Sequence, residues 1–200
     1  MEHFQKILEF QKLLKQFNKI YRDVGSLHKD AHFDNDVEHS YRVAMLCWMI
    51  IEEYKLPLDA NKVIKYALIH DFVEVYAGDV SIYKHTKGAT AQKNKDLKEQ
   101  KALARLRKEF PQLKSFWNLI SEFEKREDEE SRFVYLIEKL EPILVVILSE
   151  KDHYKKRNVG LDEFIEVKQR KIKDIDTFAQ IFNKEIMAYL KKNKKKLFDR

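Results

Sequence analysis

Glycine and proline are scarce in this chain, and their scarcity limits the available folds more than any other feature. The 200 residues include four glycines and three prolines. The closest two glycines, Gly78 and Gly88, are ten positions apart, which excludes both the G-x-G-x-x-G loop of Rossmann folds and the P-loop. A β-sandwich or barrel needs more turns than these residues can supply. The sequence therefore predicts an all-α fold of long helices.

Apolar residues recur at helical spacing along almost the whole chain, which predicts a bundle of about six to seven helices. The predicted helices span 2–20, 37–54, 59–77, 91–108, 112–124, 130–150 and 161–194. Asn35 is expected to form a capping box with the glutamate three residues later. Asp59 is expected to cap the third helix and Gly78 to end it. Residues 21–36 are predicted to form an ordered loop, and Pro142 to kink or interrupt the sixth helix.

Positive charge is concentrated at the C-terminal end of the chain. Residues 151–200 hold 15 Lys and Arg against 8 Asp and Glu, whereas residues 1–150 hold 24 against 25, and the net charge is +6. The lysines are densest at 191–196, where no aromatic residue is interleaved, so a solvated helix end is favoured and no nucleic-acid partner is expected. The chain, 1–200, is predicted to be a single domain, with 151–200 a basic helical extension packed on it.

Cys47 is the chain's one cysteine, which excludes an internal disulfide and a cysteine-based zinc site. No apolar run has transmembrane length, and the first residues do not resemble a signal peptide. The predicted location is therefore the cytoplasm, with no membrane partner.

Ionisable residues lie on the apolar faces of three predicted helices. His39 follows the apolar stripe of the second helix, and Glu138 follows that of the sixth. His70 and Glu74 share the apolar face of the third helix, with Asp71 beside it. Buried charges persist when they are paired or bound to a metal. A hydrogen-bonded core histidine would explain one such residue, but this many on three helices indicates a nitrogen and oxygen site for a divalent transition metal.

The spacing of these residues resembles that of a known enzyme family. Val37-Glu38-His39-Ser40, followed by His70-Asp71, Glu74, Gly78 and Asp79, resembles the HD-domain metal-dependent phosphohydrolases. Segments 69–79, 116–117 and 131–142 are similar to the branch that contains the 5′-deoxynucleotidases. The resemblance covers about residues 10–150 and implies an HD-domain-like helical bundle, a nucleotide substrate and a homodimer.

The resemblance also implies roles for individual residues. Four of them would bind one divalent metal ion (Mn, Co, Mg, Fe, Ni or Zn): His39, His70, Asp71 and Glu138. Glu74 would transfer a proton, Asp79 would orient the substrate or the nucleophile, and Arg22 would contact the nucleotide. The implied reaction is hydrolysis of nucleoside 5′-monophosphates, with deoxyribonucleosides as the expected class.

Two positions depart from the family pattern. Glu138 stands where the family has aspartate, and Asp23 and Val24 follow Arg22 where an aromatic residue is usual. Two alternatives therefore stay open. One is an HD phosphohydrolase for a cyclic or polyphosphorylated nucleotide, whose extra phosphates the basic residues at 84–87 would suit. The other is a catalytically degenerate module that has kept the fold, lost metal affinity and binds nucleotides.

Overall fold

The computed structural model of the chain describes residues 2–25, 33–78, 89–148, 153–156 and 158–198. The helices are α1 (Glu2–Phe17), α2 (Asp36–Tyr54), α3 (Ala60–Ile69), α4 (Glu74–Ala77), α5 (Ala89–Glu109), α6 (Lys114–Lys125), α7 (Glu129–Leu148), α8 (His153–Lys156), α9 (Leu161–Ile172), α10 (Gln180–Lys192) and α11 (Lys194–Leu197). Two short strands, β1 (Tyr21–Gly25) and β2 (Phe33–Asn35), form an antiparallel pair. The predicted all-α class is confirmed. None of the helices in these ranges has both the length and the apolar character that a membrane span requires.

The core is built around α2, α3 and α7, which pack against one another. Val43, Tyr66 and Phe133, one from each helix, are completely buried. The start of α2 is fixed by the predicted capping box, in which the Asn35 side chain accepts from the Glu38 amide and the Glu38 carboxylate accepts from the Asn35 amide. The predicted N-terminal capping of both helices is confirmed, because the Asp59 side chain accepts two amide hydrogen bonds at the start of α3.

The C-terminal helices contribute to the same hydrophobic cluster. Phe164 and Ile172 of α9 and Leu190 of α10 are buried in it together with residues of α2, α3 and α7. A single domain over 1–200, with 151–200 packed as an extension, stays a prediction that this packing supports.

The prediction of one continuous helix over 59–77 is wrong. The observed helix α3 ends at Ile69, and a tighter turn connects it to α4. In this turn the amides of Phe72 and Glu74 donate to carbonyls three residues back, over 3.0 and 2.8 Å, instead of four. Phe72 is drawn into an aromatic cluster, 5.3 Å from the Phe17 ring and 5.2 Å from the Phe116 ring between centroids. Burial of the Phe72 side chain favours the tighter turn. Helical periodicity does not predict this burial, because the contacting rings are distant in sequence.

The end of α4 follows the sequence. Gly78 has φ +75°, and its amide donates to the Glu74 carbonyl over 2.7 Å. A side chain is strained at this φ, so glycine is the residue that suits the position.

The last predicted helix, 161–194, is also wrong, because α9 and α10 are separate helices. The break is held by contacts with the start of α7. Glu129 accepts hydrogen bonds from the Thr177 hydroxyl and the Phe178 amide, over 2.5 and 3.0 Å. The Arg132 guanidinium donates to the Asp176 carbonyl over 3.1 Å. These partners replace the hydrogen bonds that a continuous helix would make.

Two further predictions are corrected. The ordered loop predicted at 21–36 contains β1 and β2, which place Tyr21 opposite Asn35. The backbone pairing is continued by the Asp36 amide, which donates to the Ile20 carbonyl over 3.0 Å. The predicted restart at Pro142 is absent, since α7 runs through this residue as one helix. Proline has no amide hydrogen for the carbonyl four residues earlier, so the Glu138 carbonyl loses its usual partner.

Candidate metal centre

Two buried imidazoles face each other where α2 and the end of α3 meet. The ring centroids of His39 and His70 are 5.2 Å apart. His39 Nδ1 lies 2.7 Å from Glu141 Oε2, and His70 Nδ1 lies 2.7 Å from the Ala67 carbonyl. Because a carboxylate and a carbonyl only accept, Nδ1 is the donor in both rings, which leaves the lone pair of the neutral imidazole on Nε2.

Both Nε2 atoms lack a hydrogen-bond partner within the described part of the chain, although they are buried. Buried polar atoms are almost always satisfied, so an orphaned pair indicates a ligand. One ligand atom each of His39, His70 and Glu138 lie within 4.8 Å of one another. Asp71 Oδ2 lies 3.1 Å from His70 Nε2 and 3.8 Å from His39 Nε2. This set of two nitrogens and two carboxylates fits a divalent transition metal.

A second group of carboxylates adjoins the first through Asp71. One oxygen each of Asp36, Asp71 and Glu74 lie within 4.8 Å of one another. The Arg22 guanidinium balances part of this charge, 2.7 Å from Asp71 Oδ2 and 3.1 Å from Asp36 Oδ1. Lys95 of α5 contributes a second cation, with Nζ 3.5 Å from Glu74 Oε1.

The surroundings shift the pKa values of the two imidazoles in opposite directions. Burial, together with the nearby Arg22 charge, lowers the pKa of His39 to about 4, and the Glu141 carboxylate only partly offsets this. Burial also opposes protonation of His70, but the Asp71 carboxylate raises its pKa above the ordinary value. His39 is therefore neutral at physiological pH, which is the form that binds metals.

The carboxylates are held in their ionised form. Burial disfavours the charge on Asp71, but His70 and Arg22 hold the pKa of this carboxyl well below its usual range. Burial likewise opposes ionisation of Glu138, while Lys139, whose Nζ is 2.5 Å from Glu138 Oε1, lowers its pKa. Both side chains are therefore available as anionic ligands.

The sequence reasoning missed the network behind His39. The Glu141 carboxylate accepts from His39 through Oε2 and from Arg42 Nε through Oε1, over 2.7 and 2.5 Å. Arg42 also donates to Asp34 Oδ2 over 2.5 Å. Burial would raise the pKa of Glu141, but the partners His39 and Arg42 lower it to about 2. One signal was available, because Glu141 is three residues after Glu138 in the largely apolar second half of α7 and shares its side of the helix.

Replacing Glu141 with glutamine is expected to weaken metal binding about 10- to 100-fold, the usual cost of removing a carboxylate behind a metal-binding histidine. The neutral amide no longer stabilises the positive charge that the imidazole acquires on binding. Calorimetric titration with Mn²⁺ measures the change. Glu166→Gln, which changes an exposed side chain of α9, is the matched control and should bind as the wild type. Equal affinity of Glu141→Gln and the wild type would contradict this role.

All but one of the residues predicted for the site lie together in the structure: Arg22, His39, His70, Asp71, Glu74 and Glu138. Asp79 lies outside the described residues, as do the basic residues at 84–87. The longer side chain of Glu138 does not remove it from the site, since its carboxylate reaches the two imidazoles.

A family profile described as HD domain matches residues 14–180. The chain belongs to the HD-domain phosphohydrolase family. The predicted resemblance is thus confirmed. HD-domain phosphohydrolases are metal-dependent. This agrees with the two buried imidazole Nε2 atoms that lack a hydrogen-bond partner among the described residues.

Curated relatives of this HD domain carry a more specific name. The 5′-deoxynucleotidase HDDC2 of Xenopus laevis is 29% identical over 163 residues, which cover 80% of this chain and 76% of the relative. The human 5′-deoxynucleotidase HDDC2 is 25% identical over 143 residues, which cover 70% of this chain and 66% of the relative.

Solved structures share the fold of this HD domain. A predicted metal-dependent phosphohydrolase of Magnetospirillum magnetotacticum has a TM-score of 0.71 and 24% identity, covering 94% of this chain and 89% of that one. An HD-domain phosphohydrolase of Listeria innocua has a TM-score of 0.54 and 18% identity, covering 94% and 85%. The fold extends over the C-terminal helices, since both alignments cover most of this chain.

Proposed function

We propose that this HD-domain protein hydrolyses the phosphomonoester of nucleoside 5′-monophosphates, with deoxyribonucleotides as the preferred class, and that it does so with one divalent metal ion. The observation that carries the proposal is the pair of buried imidazole Nε2 atoms beside Asp71 and Glu138. The relatives named 5′-deoxynucleotidase support the choice of a small-molecule nucleotide as substrate.

The metal would be held by His39, His70, Asp71 and Glu138. A divalent ion at this position supplies a Lewis acid that neutralises phosphoryl charge and activates water. Its identity among Mn, Co, Mg, Fe, Ni and Zn is left to experiment.

Two side chains beside these ligands are suited to the other parts of the reaction. The Glu74 carboxylate, within 4.8 Å of an Asp71 oxygen, would take the proton of the attacking water or pass one to the leaving oxygen. Lys95 Nζ lies 3.5 Å from Glu74 Oε1 and supplies a counter-charge to this carboxylate. Arg22 would contact the phosphate, because its guanidinium already lies at the carboxylates of the site. The orienting role of Asp79 stays a prediction.

The test is phosphate release from the eight common nucleoside 5′-monophosphates, from protein freed of metal and then supplied with Mg²⁺, Mn²⁺ or Co²⁺. We expect release that needs metal and is faster from the deoxynucleotides. A chelator should abolish it, because removing the divalent ion removes the Lewis acid that neutralises phosphoryl charge and activates water. Release from all eight at equal rates would contradict the sugar preference, and no release would contradict the proposed reaction.

Additional samples separate the two alternatives. Hydrolysis of a cyclic nucleotide or a nucleoside triphosphate, without release from monophosphates, would favour the first alternative. Nucleotide binding without hydrolysis or bound metal would favour the degenerate module. In that case Glu138→Asp, which restores the family's residue, should increase metal affinity by a large factor. In the proposed enzyme, Glu138 already binds the metal ion, so Glu138→Asp should change the metal affinity only slightly.

A homodimer and a cytoplasmic location also belong to the proposal. Tyr41, Met45 and Trp48 lie on one face of α2 and are exposed, which supplies an apolar surface suited to a second copy. The fully buried free thiol of Cys47 suits a reducing compartment.

A further inference from the structure

Three lysines from α7 and α9 lie beside the candidate metal centre. Lys139 Nζ is 2.5 Å from Glu138 Oε1. Lys168 Nζ donates to the Lys139 carbonyl over 3.1 Å, which fixes α9 against α7 at this point. Lys171 is one turn further along α9 and is partly buried, within electrostatic range of both Lys139 and Glu138. The C-terminal part of the chain thus supplies two cations to a site whose proposed ligands come from α2, α3 and α7.

These lysines carry more positive charge than the nearby carboxylates balance. Lys168 is 8% exposed, and neither it nor Lys171 has a carboxylate within ion-pair distance among the residues that the structure describes. Buried ammonium groups are costly without a counter-ion. Burial and the Lys139 charge lower the pKa of both Lys168 and Lys171 to about 8, which shows that the surroundings disfavour these charges.

The lysine cluster lies close to the cations that contact the carboxylates of the site. The charge of Arg22 acts on Lys168, and the charge of Lys95 acts on Lys171. Arg22 and Lys95 are themselves the cations that contact Asp71 and Glu74. Lysines on α9 therefore lie within electrostatic range of the two cations that contact these carboxylates.

A bound metal ion changes the charge balance in favour of an anion. The double positive charge of a divalent ion offsets the charges of Asp71 and Glu138, so Glu138 no longer compensates Lys139. The three ammonium groups are then left beside the centre without a compensating carboxylate among the described residues, and a phosphate dianion supplies the missing charge.

We propose that Lys139, Lys168 and Lys171 form an anion-binding subsite next to the metal centre, which holds the dianionic phosphate group of the substrate and the inorganic phosphate product. The proposal rests on the proposed function for the metal, and it goes beyond it by assigning substrate binding to α9. Lys168 positions α9 through the Lys139 carbonyl, and Lys171 supplies the more accessible charge.

The test is calorimetric titration of the Mn²⁺-loaded protein with inorganic phosphate, a probe that needs no turnover. Lys171→Gln should weaken phosphate binding about 10-fold or more, the loss expected for one charge-assisted contact, and leave Mn²⁺ affinity within about twofold. Lys171→Arg, which keeps the charge, should bind phosphate nearly as the wild type. Lys173→Gln at the end of the same helix, with an exposed side chain, is the control and should not change binding.

Lys168→Met keeps the apolar stem of the side chain and should weaken phosphate binding by a similar factor. Phosphate affinity of Lys171→Gln equal to that of the wild type would overturn the proposal, as would a parallel loss of Mn²⁺ affinity, which would indicate a role in supporting Glu138. Lysine-dependent phosphate binding without nucleotide hydrolysis would leave the subsite in place and reject the proposed substrate. Nucleotide hydrolysis by the wild type, with phosphate binding unchanged in the lysine variants, would support the proposed substrate and reject the lysine subsite.

Discussion

Asp71→Asn is expected to abolish stoichiometric metal binding and to reduce phosphate release at least about 100-fold, since loss of a residue behind a ligand alone costs about 10- to 100-fold. Asp71 belongs to the carboxylate group of the site and also lies close to both histidines. Its Oδ2 atom lies 3.1 Å from His70 Nε2 and 2.7 Å from the Arg22 guanidinium. Asparagine has the same shape but no charge, so the variant removes the anion without opening a cavity.

Metal content after dialysis and the rate of phosphate release measure the two effects on one preparation. The control is Asp174→Asn, whose carboxylate is exposed between α9 and α10. Circular dichroism checks that the variant is folded, as we expect because Arg22 keeps its contact with Asp36. An Asp71→Asn protein that keeps both its metal and its activity would exclude the proposed centre.

Arg42→Met is expected to lower the free energy of unfolding by about 3–5 kcal/mol, the range for removing one partner of a buried ion pair. Arg42 donates to the buried carboxylates of Asp34 and Glu141, which are each 2% exposed in their side chains. Methionine keeps most of the apolar stem but leaves both carboxylates without this cation. Glu141 also supports His39, so the loss should extend to metal affinity.

Urea unfolding of the metal-free protein isolates the effect on stability from that on metal binding. The matched control is Arg170→Met, since the Arg170–Glu166 pair is exposed on α9. An exposed pair of this kind contributes about 0–1 kcal/mol. An equal decrease in the free energy of unfolding of both variants would show that the Arg42 contacts stabilise the fold no more than an exposed ion pair does.

Much of the fold is accessible from local patterns. The start of α2 was predictable because asparagine and glutamate three residues apart satisfy each other's backbone amides within one turn. The burial of His39 and Glu138 was predictable because each follows apolar residues at helical spacing. These signals involve neighbours within one or two turns, so no knowledge of the tertiary structure is needed to read them.

The breaks in the helices depend on distant parts of the chain. The turn that separates α3 from α4 buries Phe72 against aromatic residues of α1 and α6. The break between α9 and α10 is fixed by Glu129, which is 48 positions from Thr177. Local periodicity continues through both breaks, so a helical pattern alone predicts one helix where the structure has two.

The same distinction applies to the candidate site. His39 and His70 stand out because a histidine on an apolar stripe is unusual, and the family motif contains both. The partners Glu141 and Arg42 are 99 positions apart and meet only when α7 packs against α2. The contact of Glu141 with His39 Nδ1 decides that Nε2 of this ring faces the centre. The ligand residues were therefore predictable from the sequence, but the orientation of the imidazole was not.

Anomalous diffraction from crystals grown with Mn²⁺ tests whether this cluster binds the metal. We expect one strong peak per chain, within bonding distance of the Nε2 atoms of His39 and His70 and of carboxylate oxygens of Asp71 and Glu138. The peak should be missing in Asp71→Asn crystals grown under the same conditions. A fully occupied peak elsewhere, or wild-type crystals without a peak between the two imidazoles, would contradict the assignment of this cluster as the metal centre.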